Sequence, residues 1–204
     1  MTRLLTITSL LIAVSICTAL AITVELTPTD DAYIDEGDSQ ENYGGAPYAY
    51  IGFVGGYESR TLVLFDLSPY SGAKVTAATY ASFVDNLDNI CHDNVLCSGA
   101  RFWDEYTVTW DNDPGYTTDI SLNFGQPVAD DWLSLDVTEF VENWLDGTYT
   151  NYGFYFIGLN PPRSNFSFRT KEYTDSEYHP KLTIDYYFDS VGPASLGEIK
   201  TVFR

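Results

Sequence analysis

From residue 22 onward, apolar and polar positions alternate in short runs broken by turn-forming pairs. Tyr48-Ala49-Tyr50-Ile51-Gly52-Phe53-Val54 and Thr61-Leu62-Val63-Leu64-Phe65 read as strands. Val75 to Val84, rich in Thr, Ala and aromatics, predicts a longer one, followed by Phe102-Trp103 and Thr107-Val108-Thr109-Trp110. Gly153 to Leu159 is almost wholly apolar, as a central strand covered on both faces would be. Leu182 to Phe188 alternates again and is the expected closing strand. Gly44-Gly45, Gly55-Gly56, Pro114-Gly115 and Pro161-Pro162 separate these runs. The expected fold is all-β: a jelly-roll-like antiparallel β-sandwich with one short amphipathic helix.

That helix is placed at residues 136–146. Val137, Phe140, Val141, Trp144 and Leu145 form one apolar stripe at helical spacing. Asp136 is the expected N-cap, Glu139 its capping-box partner, and Gly147 the stop. The stripe suits a helix that covers one end of the sandwich.

The ends of the chain have a different character. Met1-Thr2-Arg3, the apolar run Leu4 to Ile16 and Ala19-Leu20-Ala21 read as an export signal over residues 1–21, too short to span a bilayer. The domain is then 22–188. Residues 189–204 read as a linker and a short amphipathic tail, Leu196 to Arg204, which suits either a frayed end or a docking segment. The expected location is outside the cell or on its surface.

Charge narrows the partners. The formal net charge of −19 argues against nucleic acid, which needs a basic footprint, and against docking on anionic lipid. With Cys17 in the signal, Cys91 and Cys97 remain. In an exported chain they point to a short-loop disulfide, with a metal site through His92 as the rival. Asn165-Phe166-Ser167 is a glycosylation sequon.

Catalytic vocabulary is sparse. There are two histidines, His92 and His179, and neither a nucleophile elbow nor a zinc-protease motif. No enzymatic activity is expected. Structural calcium is a candidate, because hard cations need clustered oxygens. The acidic loops nominate Asp30, Asp31 and Asp35, and separately Asp111 and Asp113; Asp85-Asn86-Asp88-Asn89 is a further cluster. Binding of a sugar polymer would need aromatic platforms with a few cationic forks. Arg60, Arg163, Arg169 and Lys171 are the candidate cations and Tyr48 and Tyr50 the candidate platforms, with Tyr43 and Tyr57 nearby. If the strand after Phe166 is antiparallel, Arg169 and Lys171 share a face. For Arg60 the competing reading is a buried pair with an acidic neighbour.

Several pieces recur together in a recognisable order: Asp31-Ala32-Tyr33-Ile34, Glu41-Asn42-Tyr43-Gly44, Ile51-Gly52, Ser59 to Ser68, Ala77-Ala78, Trp103-Asp104-Glu105 with Val108-Thr109-Trp110, Leu135-Asp136-Val137-Thr138 with Val141 and Trp144, Asn151-Tyr152-Gly153-Phe154, and His179 to Ile184. In this the chain resembles the DNRLRE-domain family, which overlaps a carbohydrate-binding module family with alginate-binding members. The resemblance covers roughly residues 28–188. It implies an exported, non-catalytic β-sandwich that binds extracellular polysaccharide. The alternative expectation is a structural or adhesive surface protein that docks on a protein partner through its tail.

Overall fold

The computed structural model describes residues 21–159 and 164–189. The export-signal expectation (all but Ala21), Arg163 and nearly all of the tail lie outside the described residues. Eleven strands run in chain order: β1 (Ile22–Leu26), β2 (Asp30–Asp35), β3 (Tyr48–Val54), β4 (Tyr57–Leu64), β5 (Lys74–Asp88), β6 (Asn94–Gly99), β7 (Tyr116–Phe124), β8 (Asp131–Asp136), β9 (Phe154–Gly158), β10 (Asn165–Arg169) and β11 (Lys181–Tyr187). Among the described residues one α-helix, α1 (Thr138–Leu145), lies between β8 and β9.

All pairings are antiparallel. The strands follow the order β1-β11-β5-β10-β3-β4-β9-β6-β7, with β2 on β4 and β8 on β5. The sheet curls at β4, whose first residues pair with β3 while Thr61–Val63 pair with β9. Ring contacts then cross the interior: Phe156 of β9 lies 5.2 Å from Tyr80 of β5 and 5.5 Å from Phe168 of β10. Strands that are not sheet neighbours thus face one another, as the two layers of a sandwich do.

Period-2 alternation decides which side chains enter that space. Ala49 and Ile51, Tyr80 and Val84, Phe154 and Phe156, Phe166 and Phe168, and Leu182 and Ile184 are all buried there. Helix α1 adds Phe140, Val141, Trp144 and Leu145, the face its spacing predicts. Burial of each large apolar side chain among them stabilises the fold by about 1.5–3 kcal/mol. A second apolar cluster covers the outer face of β4, β9 and β6. Leu62, Cys97, Tyr155 and Ile157 meet Ala32 and Ile34 of β2 and Trp103 and Val108 of the β6–β7 loop.

The structure corrects three expectations. Residues 102–103 and 107–110 are loop, not strand: the Asp104 carbonyl accepts from the Thr107 and Val108 N–H groups, a local turn that turns Trp103 and Val108 onto the second cluster. The helix starts at Thr138, with Val137 as N-cap, though the Asp136 carboxylate still accepts from the Thr138 N–H at 3.0 Å. Gly147 follows the helix at φ +81°, the left-handed geometry that lets the chain leave. Finally, Cys91 and Cys97 are free buried thiols and not a disulfide. Cys91 packs in the main core, while Cys97 points from β6 to the opposite face. That separation also removes the shared metal site with His92.

No helix among the described residues is long and apolar enough to cross a membrane.

Candidate functional site

The strands that fill the core with one set of side chains present the other set outward. On β3 these are Tyr48 and Tyr50, on β10 Ser167 and Arg169, and on β5 Phe83 and Asp85. Register brings them side by side: Arg169 lies opposite Tyr48, Ser167 opposite Tyr50, and Phe83 opposite Trp132 of β8. A register shift between Ser167 and Phe168 re-aims the end of β10 toward Phe83 and Asp85.

The β10–β11 loop folds back over this face and adds Tyr173 and Tyr178. A short turn of 3-10 helix, Ser176–Tyr178, is capped by Asp175, whose carboxylate accepts from the Glu177 N–H. His179 Nε2 donates to the Tyr173 carbonyl at 2.7 Å, which fixes the loop and occupies that ring nitrogen.

The result is a run of ring contacts across one outer face. Tyr43 stacks on Tyr33 at 4.2 Å, and Tyr33 meets Tyr50 edge-on at 5.3 Å. Two residues along β3, Tyr48 meets Tyr173 at 5.7 Å. Tyr173 then meets Tyr178 at 6.3 Å, Tyr178 meets Phe83 at 4.7 Å and Phe83 meets Trp132 at 5.7 Å. Trp132 is 37% exposed. Lys181 lies over it at 5.6 Å.

Arg169 stands in the middle of the run. Its guanidinium carbon is 4.4 Å from the Phe83 ring, 4.3 Å from Tyr173 and 4.4 Å from Tyr178. Its Nε donates to Asp85 Oδ1 at 2.9 Å. The two terminal nitrogens make no hydrogen bond among the described residues. Burial works against the charge, but the Asp85 carboxylate and the phenols prevail, and its pKa is raised. The group stays cationic.

At the other end is a cleft of 410 Å³ lined by Tyr33, Asp35, Asp38, Tyr43, Tyr50 and Tyr57. Tyr43 donates its hydroxyl to Asp38 at 3.2 Å. Burial, then the neighbouring Tyr43 and Tyr50, push the Tyr33 phenol up, so it remains a protonated donor. Tyr57 is 55% exposed. Flat apolar faces beside phenol donors and carboxylate acceptors match the alternating C–H and hydroxyl surfaces of a sugar ring.

Tyr48, Tyr50 and Arg169, nominated from the sequence, meet on this face. Arg60 does not: β4 alternation turns it onto the second cluster, where it forks Glu58 (2.8 and 2.9 Å), reaches Asp113 at 3.1 Å and lies over Trp110 at 4.6 Å. Lys171 does not share a face with Arg169, because β10 ends at Arg169. Its ammonium pairs with Glu105 at 2.8 Å and with Glu172.

The nominated metal residues do not gather. Asp35 accepts from the Ser59 hydroxyl and the Gly37 N–H, and Asp113 holds Arg60 and Tyr155. Asp111 is exposed, and Asp30 lies half-buried at the start of β2. Asp31 alone joins a carboxylate cluster, with Glu105 and Glu172. Phe83, Trp132, Tyr173 and Tyr178 were not foreseen. The alternation of β5 could have revealed Phe83, since its even-numbered neighbours are core.

The family model described as carbohydrate-binding module family 96 matches residues 22–186. A gellan lyase from Bacillus sp is 24% identical over 192 residues, which is 91% of this chain and 8% of that protein. The chain therefore spans only a small part of that relative's length.

Proposed function

Because the chain belongs to carbohydrate-binding module family 96, we propose that it is an exported, non-catalytic module that binds an extracellular polysaccharide. The observation that carries this reading is the run of rings from Tyr43 to Trp132 with Arg169 at its centre. A polymer lies along the face, with sugar rings against Tyr48, Tyr50 and Trp132. The terminal nitrogens of Arg169 take the carboxylate of an acidic sugar, a bidentate grip that a lysine cannot make. The acidic surroundings set specificity, because a carboxylate is accepted only beside a cation such as Arg169.

No chemical turnover is part of this reading. Of the two histidines, His179 is held by the Tyr173 carbonyl and His92 is exposed, apart from the aromatic face. The likeness to part of a gellan lyase makes gellan the first polymer to test, followed by alginate and a neutral glucan.

The test is isothermal titration of the protein with each polymer. Binding that weakens about tenfold or more in Tyr48→Ala and Trp132→Ala, each the loss of about 1.4 kcal/mol, supports the reading. Preference for the acidic polymer should disappear in Arg169→Gln. Unchanged affinity in all three variants, or release of new reducing ends, would sink it.

A further inference from the structure

We propose that Asp31, Glu105 and Glu172 form a binding site for a divalent cation of the calcium class. Each residue brings a carboxylate oxygen to within 4.8 Å of the others. They come from three separate segments: β2, the β6–β7 loop and the β10–β11 loop. Asp31 is 0% exposed and Glu105 2%.

The framework is braced. The Asp31 N–H donates to Glu105 Oε1 at 2.9 Å, and the Lys171 N–H donates to Asp31 Oδ2 at 2.9 Å. The Lys171 ammonium engages both oxygens of Glu105 and Oε1 of Glu172. Two oxygens remain. Asp31 Oδ1 and Glu172 Oε2 are sealed from solvent, and neither has a donor among the described residues. A buried carboxylate oxygen without a partner is costly enough that something must meet it. When all three carboxylates are ionised, as metal ligation requires, one ammonium leaves two negative charges unbalanced, the charge a divalent cation supplies. The donors are all hard oxygens, with no imidazole or thiolate in the cluster. Such a set suits calcium, which accepts six to eight oxygens in flexible geometry, better than magnesium, which demands a near-ideal octahedron.

The full chain, treated with chelator and desalted, tests this with calcium chloride alone, followed by calorimetry and titration. One ion per chain should bind. The melting temperature should rise by roughly 5–10 °C at about a hundredfold excess over Kd. Glu172→Gln should lose that rise while melting at or above the wild-type temperature in metal-free buffer, because it removes one of the crowded charges. Asp31→Asn serves the same purpose if Glu172→Gln does not fold. Asp119→Asn, an exposed acidic residue on β7, should respond as wild type. A wild-type melting temperature indifferent to calcium overturns the site. So does a full rise in Glu172→Gln, or an equal loss in Asp119→Asn. An equal response to magnesium overturns the assignment to calcium.

Discussion

The Arg169 guanidinium carbon lies 4.3 Å from the ring centroid of Tyr173, a residue only four positions away but on the far side of a turn. The contact closes a cage whose other walls are Phe83 and Tyr178. It joins the sheet to the loop that covers it. One cation thereby organises three aromatic side chains and still keeps two donor nitrogens for a ligand.

Removing that cation should act on both the fold and the ligand. Cation–π contacts of this kind contribute about 0.5–2 kcal/mol. Arg169→Ala is expected to destabilise the protein by about 1–2 kcal/mol in urea unfolding and to abolish binding of acidic polymer. Arg169→Lys should recover most of the stability and little of the binding. Equal recovery of both would show that charge alone matters.

Gly44 tests how the β2–β3 loop is docked. A Cβ at this position would come within 2.1 Å of the Glu105 carbonyl oxygen, which accepts from Asn42 Nδ2 at 2.8 Å. Backbone cannot yield as a flexible side chain can. Gly44→Ala should therefore cost about 2–4 kcal/mol, well above the usual loss for a surface change, as read from the unfolding midpoint. Gly45→Ala, with open space around its Cβ, should cost under about 1 kcal/mol.

The two thiols of the domain should behave as apolar side chains. Burial pushes Cys97 up to about 11, and burial with the Asp88 charge does the same for Cys91. A reducing agent should leave the melting temperature unchanged. Alkylation of peptides carrying Cys91 and Cys97 should be slow in the native state and complete once the protein is unfolded. A native mass two daltons short across these peptides would contradict the structure.

Acid should stabilise the metal-free protein through Asp31. Burial raises its carboxyl well above the ordinary 3.8; Glu172 adds to the rise, while the Lys171 N–H and ammonium oppose it. Glu105 faces the same group through the Asp31 N–H. In the window above 3.8 the folded state holds a proton that the unfolded chain has released. Stability therefore falls as pH rises through that window and returns as pH is lowered. Chelated wild type should lose stability relative to Asp31→Asn as the pH is raised above 3.8. Parallel curves would show that this proton is not held.

Much of the framework was legible because alternation is a local signal. β3 was read to its exact bounds at 48–54, and the strands near 154–158 and 181–187 within a residue or two. β7 and β8 escaped because they lie at the sheet's margins. Most of their side chains are exposed, so nothing forces a strict apolar alternation on them. Tyr48, Tyr50 and Arg169 were visible as residue types, but their neighbours depend on strand register and on a loop folding back. The carboxylate cluster was out of reach for the same reason. Asp31 and Glu105 are 74 positions apart and meet only after β2 and the β6–β7 loop have docked.

β10 and β11 both lie on the side of β5 opposite β8, one after the other along the same strand. Each end of the connection between them is therefore anchored, Lys171 and Glu172 are held at the Asp31–Glu105 cluster, and only the residues beyond them, with Tyr173 and Tyr178, are free to differ. The face thus has a fixed half, Tyr48, Phe83 and Trp132, and an exchangeable half. A segment with other aromatics or another charge could be grafted between the same two anchors, and the domain could acquire a new ligand preference without a new scaffold.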